Sequence, residues 1–185
     1  MLNEAHKLNS GFRRFHHRHN EGLLSAISIG FFLILVGTLF ILNPDLPSKI
    51  IDFARPESFE LKAVAPNLNV SLPIPKDPRA YPLIYQTVEQ FCLVWAVFLV
   101  AMLGVRFIFG STARRKAEGL GNAVFWFGAA YLVQTLLVDT ASRNLSLDIA
   151  YDRWFEFWAG IITLIGMSLI ARGLFLVAAW KTRTD

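Results

Sequence analysis

The chain has a single cysteine, Cys92, in 185 residues. No disulfide can form within one chain, and no metal cage of thiolates can be built. Charge is also scarce: 17% of the residues are Asp, Glu, Lys or Arg, against 54% that are hydrophobic. Compact chemical motifs are missing. The sequence contains no nucleotide-binding glycine loop, no Cys-x-x-Cys, no His-Glu-x-x-His and no Gly-x-Ser-x-Gly. All four histidines, His6, His16, His17 and His19, precede the first long apolar run. None is therefore placed to ligate haem or copper inside a membrane bundle. These gaps argue against an enzyme, and no cofactor is expected. They do not touch sites without a compact motif, such as a quinone or lipid pocket.

What the sequence does hold is apolar length. Four runs, 22–42, 83–109, 120–138 and 155–180, each approach or exceed the roughly 20 helical residues that cross a bilayer core of about 30 Å. Lipid offers the backbone no hydrogen-bond partners, so each run is expected as a helix. The first is too long for a signal-peptide core and continues into "ILNPDLP" without a small-residue cleavage site. The expected fold is an all-α integral membrane protein with four transmembrane helices.

Basic residues orient it. Lys7, Arg13, Arg14, Arg18, Arg106, Arg114, Arg115, Lys116, Arg172, Lys181 and Arg183 would share one side with only Glu4, Glu21, Glu118 and Asp185. The other side would hold 7 basic and 10 acidic residues. The positive-inside rule makes both termini cytoplasmic in a multi-pass cell-membrane protein. The basic excess then needs no nucleic acid; membrane lipids suffice. The expected order is a cytoplasmic segment 1–21, a first span 22–43, an outer segment 44–80 and a second span 81–109. A cytoplasmic loop 110–119, a third span 120–138, an outer loop 139–154, a fourth span 155–180 and a tail 181–185 follow. The sequons at Asn69 and Asn144 fall on the outer side, where glycosylation could reach them.

A phrase repeats. "RHNEGLLSA" at 18–26 returns as "RKAEGLGNA" at 115–123. Each puts a carboxylate, Glu21 or Glu118, where an outward-going helix is expected to begin, favourable to the helix dipole. The partner helices echo too: Glu89 precedes Arg106 by 17 residues and Glu156 precedes Arg172 by 16. We read two tandem helical hairpins related by a pseudo-twofold axis, with a small outer insertion between helices 1 and 2. Glu21, Glu118, Arg106 and Arg172 are then candidate structural ion pairs joining the repeats. In the insertion, "NPDLPSKIIDFAR" predicts a short interfacial amphipathic helix. "SFELKAV" and "NVSLPI" alternate with period two around a turn-rich "APNLN", the pattern of a hairpin.

Two clusters invite function. "FHHRH" offers His16, His17 and His19 to a metal. Leu8, Phe12, Phe15 and His19 also fall on one helical face rimmed by basic residues, and that lipid-anchoring reading is preferred. Gln86, Glu89, Gln90, Gln134, Asp139 and Glu156 gather toward the outer ends of the helices, where polar groups mark function by default. They could line a vestibule, or they could pair with one another. The chain is thus expected to be a non-catalytic scaffold, accessory subunit or self-assembling module. Its partners would be a second copy or another membrane protein. The alternative is a small oligomeric transporter or channel whose mouth is the outer polar cluster.

Overall fold

A computed structural model describes residues 25–65, 68–109 and 111–181. The segment 1–21, with its three clustered histidines and Glu21, lies outside the described residues. Among the described residues four helices are long and apolar enough to cross a membrane. We label them α1 (Ser25–Leu42), α3 (Pro82–Ile108), α4 (Ala113–Ser142) and α5 (Leu147–Lys181). The short helix α2 (Leu46–Ala54) and two strands, β1 (Phe59–Ala65) and β2 (Leu68–Pro75), lie between α1 and α3. The chain divides into two compact units, Met1–Thr38 and Leu39–Asp185. The described part of the first belongs to α1, a run of apolar side chains broken only by small and hydroxyl residues.

In the second unit, α4 lies between α3 and α5 and packs on both. Of its span 39% is buried, against 17% for α3 and 11% for α5. Its composition explains why it takes the middle. Gly119, Gly121, Ala123, Ala129 and Ala130 are all buried, and small residues let helix backbones approach closely where lipid supplies no hydrophobic drive. The contact with α5 is reciprocal. A Cβ added to Gly128 would strike the Leu164 side chain, and one added to Gly160 would strike that of Leu132. Each helix therefore seats its own leucine in the glycine gap of the other. On α4 and on α5 that leucine lies four residues after the glycine, one turn along the same face.

The helices outrun the apolar runs that announced them. The structure starts α4 at Ala113, behind Thr112, so most of the expected loop 110–119 is helical. Glu118 consequently sits beyond the first turn and does not cap the helix start. Arg114, Arg115 and Lys116 are good helix formers, and polarity alone did not end the helix. At the other end α5 begins at Leu147, not near 155. Its 35 residues would measure about 52 Å, well over a bilayer core. Its first turns serve instead as a post for the insertion.

That insertion is a folded cap, so the described residues are mostly helical with one small sheet. β1 and β2 pair antiparallel, with Phe59 opposite Pro75 and Ala63 opposite Ser71. α2 carries a proline in its first turn and buries Leu46. Phe53 meets the rings of Phe59 and Tyr81 edge-on, with centroids 5.2 and 4.9 Å apart. Below them Ile74, Tyr85, Val133, Leu137, Val138 and Trp154 form a buried cluster joining the hairpin to α3, α4 and α5.

Part of that cluster depends on a local change of helix type. Residues Val133–Val138 of α4 wind as a π-helix. Leu136, Leu137 and Val138 are all buried there. Consecutive residues of a regular α-helix are spread 100° apart, so three in a row would not all face the core. The wider turn brings them inward. Thr135 and Thr140 donate their hydroxyls to the carbonyls of Tyr131 and Leu136, at 2.8 and 2.7 Å, on either side of the disturbed ladder. Hydroxyls commonly satisfy backbone acceptors in this way where a helix departs from its regular pattern.

Candidate functional site

The polar residues expected at the outer ends separate into local pairs. Gln134, carried on the π segment, faces Glu89 of α3. With its amide nitrogen toward that carboxylate it donates to both oxygens, at 3.0 and 3.3 Å. In the opposite orientation the nitrogen faces Asp139 Oδ1 at 3.4 Å. The Glu89 orientation is favoured, because its distances are shorter and it satisfies a carboxylate within the bundle. Asp139 in either case accepts from Arg143 at 3.3 Å, one turn on. Glu156 pairs with Arg153 at 3.0 Å. Gln86 and Gln90 are exposed. Gln134 thus stands between Glu89 and Asp139, while Glu156 pairs separately with Arg153.

The cleft on this side has a different lining. An open cleft of about 300 Å³ is lined by Phe59, Leu72, Pro73, Trp154, Phe155 and Trp158. None of the six polar residues belongs to it. Trp154, Phe157 and Trp158 pack on one another, with centroids 5.4 to 6.5 Å apart. Indole rings of this kind gather where hydrocarbon meets headgroups.

Two residues that the sequence reading passed over hold the cap in place. Tyr151 donates its hydroxyl to the Lys76 carbonyl at 2.8 Å and lies 3.2 Å from Glu60 Oε1. The Lys62 ammonium sits 3.4 Å above the same ring, an electrostatically favourable place for a cation. Arg79 bonds both oxygens of Asp77, at 2.9 and 3.1 Å, and donates at 2.7 Å to the Leu145 carbonyl in the loop between α4 and α5. The Arg79 guanidinium holds the Asp77 carboxyl below the usual carboxylate range, outweighing the opposite effect of burial. The signal for this clamp was "KDPRAYP", where Asp77 stands two residues before Arg79 and also accepts its backbone N–H. That is a turn signature with a charge attached.

At the basic ends of the helices the two echoed arginines lie against α4. Arg106 of α3 donates to the Arg115 carbonyl at 3.2 Å, and its Nη1 would lie 3.3 Å from a Cβ at Gly119. Arg172 of α5 runs its stem across Gly121, where a Cβ would collide with it. Its Nη2 donates to Asn122 Oδ1 at 2.6 Å. Its Nε is buried without a hydrogen-bond partner among the described residues. Glu118 turns to Arg114 on its own helix, at 3.2 Å. Among the described residues, then, neither arginine meets Glu118; a local pair one turn away on the same helix requires no remote segment to be ordered. Glu21 and the histidines His16, His17 and His19 lie outside the described residues. No group of three or more His, Cys, Asp or Glu side chains among the described residues could hold a metal ion. Asn144 stands exposed in the α4–α5 loop with φ 47°, a left-handed conformation that asparagine tolerates, and Asn69 lies in β2.

No family model, curated protein or solved structure matches this chain.

Proposed function

We propose that this chain is a non-catalytic membrane scaffold that assembles through α5 with a transmembrane helix of a second copy. The observation that carries the reading is a division among the glycines. Gly121, Gly128 and Gly160 are filled by side chains of neighbouring helices, whereas among the described residues nothing lies within 4 Å of where a Cβ would stand at Gly166 and Gly173 of α5, as at Gly30 and Gly37 of α1 and Gly104 of α3. Gly166 and Gly173 are seven residues apart, so they share one face of α5. Ile162, Ile170 and Val177 flank them, each more than 60% exposed. Small gaps between large apolar side chains are what a second helix packs into inside a bilayer.

The folded cap supports the same reading, because it offers a shaped outer surface for a partner. A transporter draws less support, since four residues of its supposed mouth are engaged in pairs: Gln134 with Glu89, Asp139 with Arg143 and Glu156 with Arg153. In the proposed orientation the basic ends face the cytoplasm, both termini with them. The tandem hairpin arrangement and its origin by duplication belong to this proposal also, resting on the repeated Glu-Gly-Leu phrase. Donor- and acceptor-labelled protein in liposomes tests the assembly. Energy transfer should survive lipid dilution, and Gly166→Leu with Gly173→Leu should weaken association by about tenfold or more, equivalent to about 1.4 kcal/mol. Transfer that vanishes on dilution of the native chain would refute self-assembly. Ion or solute flux from the same liposomes would favour transport.

A further inference from the structure

We infer that Arg172, seated on Gly121 and steered by Asn122, is a binding site for the phosphate of an anionic lipid at the basic side of the bundle. Arg172 lies nine residues before Lys181, about 13 Å along the helix. A guanidinium at that depth is costly in hydrocarbon, most at the bilayer centre and less toward the headgroups. Its long stem reaches toward the interface. The side chain is not free to swing, however. Gly121 removes the one Cβ that would block the stem, and the 2.6 Å bond to Asn122 Oδ1 fixes the plane of the guanidinium.

Asn122 is neutral, so this bond orients the charge without cancelling it. No carboxylate among the described residues pairs with Arg172. A planar guanidinium has five N–H donors, and one is used on Asn122. The remaining Nη donors present a fork that suits phosphate oxygens, with a positive charge held in place beforehand. Arg114, Arg115, Lys116 and Lys181 stand at the same basic ends of the helices. They would enrich anionic headgroups there. Arg172 differs from them in being set deeper and docked between two helices. The matching chemistry is therefore a phosphate diester whose acyl chains lie along α4 and α5. The arms of the test separate such a lipid from free phosphate.

The experiment measures binding of the full chain, in nanodiscs, to phosphatidylglycerol against phosphatidylcholine, by native mass spectrometry or lipid pull-down. The native chain should retain phosphatidylglycerol preferentially. Arg172→Gln should reduce that retention by about tenfold, the scale of one charge-assisted hydrogen bond. Arg172→Lys should keep part of it. Gly121→Ala keeps the charge but displaces the stem, and should also lose the preference; stability in pure phosphatidylcholine shows that each variant is folded. Inorganic phosphate should not compete, and competition by it would assign the site to a soluble anion instead. Equal retention by the native chain and Arg172→Gln would overturn the inference. So would Glu21→Gln and Arg172→Gln proving equally costly and non-additive in phosphatidylcholine, since Glu21 would then be the counter-ion.

Discussion

Replacing Gly128 with alanine adds one methyl group at a close approach between α4 and α5. The added Cβ would stand 2.9 Å from Leu164 Cδ1 and 3.2 Å from Cγ, with Cδ2 nearer still. The conflict thus reaches the branch point of the leucine, so turning one methyl aside does not relieve it. At Gly160 the same substitution meets Leu132 Cδ1 at 2.7 Å and Cδ2 at 3.1 Å, but Cγ only at 3.5 Å. There the far end of a flexible side chain can move. Overpacking of this kind costs about 1–3 kcal/mol, while the gain in helix propensity from Gly to Ala returns up to about 1 kcal/mol. Gly128→Ala should therefore destabilise the protein by a net of about 1–2 kcal/mol, and Gly160→Ala by less than about 1 kcal/mol. Leu164→Ala alone empties the gap, at about 2–5 kcal/mol by analogy with soluble cores. Combined with Gly128→Ala it should cost less than the two losses added, because the new methyl occupies part of the space. Reversible unfolding in mixed micelles, followed by far-UV circular dichroism, measures all four. Strictly additive losses, or a Gly128→Ala protein as stable as the native one, would show that Leu164 does not fill the Gly128 gap.

Three further outcomes are expected. Tyr85 is 4% exposed, and its hydroxyl has no hydrogen-bond partner among the described residues; Tyr85→Phe removes a polar atom that costs about 1–3 kcal/mol when unsatisfied, so thermal denaturation should show equal or higher stability. The lowered Asp77 pKa means that the native state favours the carboxylate, so the Asp77–Arg79 clamp contributes stability above the ordinary Asp range and loses it as pH falls through the lowered value. Limited proteolysis of the cap across that interval should show it loosening in the native chain, and Arg79→Ala should loosen it already at neutral pH. Reporter fusions at both termini and within 110–119 should read as cytoplasmic, and those within 60–75 and 140–148 as external; termini on opposite sides would refute the proposed orientation.

The spans were legible because bilayer thickness imposes one simple requirement, apolar length, on each helix. α3 was expected over 81–109 and runs Pro82–Ile108, since proline at its start and the basic turn at its end coincide with the limits of the apolar run. α4 and α5 run further because apolarity reports the solvent, whereas helix ends follow backbone geometry. "LDIAYDRW" at 147–154 is polar enough to look like loop, yet Tyr151 and Trp154 are helical and anchor the cap. The period-two patterns of "SFELKAV" and "NVSLPI" announced the hairpin whose strands run Phe59–Ala65 and Leu68–Pro75. The π segment left no pattern to find: "VQTLLV" reads as ordinary apolar helix, and only packing against Tyr85 and Trp154 from two other helices makes its wider turn worthwhile.

At the basic side the sequence showed that charges recur but not what they meet. Spacings of 17 and 16 residues from Glu89 and Glu156 placed Arg106 and Arg172 at similar depths and suggested the recurring glutamates as partners. A charge pattern along one helix fixes depth; it does not fix rotation about a neighbouring helix. Gly119 and Gly121 are two residues apart and so project roughly 200° apart around α4, one toward α3 and the other toward α5. Each flanking arginine therefore approaches a different side of the central helix, and the two do not converge on Glu118. The signal lay in the smaller residues of the repeated phrase. The second copy has Gly121 and Asn122 where the first has Leu24 and Ser25. A glycine and an amide that look like packing filler in one dimension become, across α5, the space and the acceptor that hold Arg172.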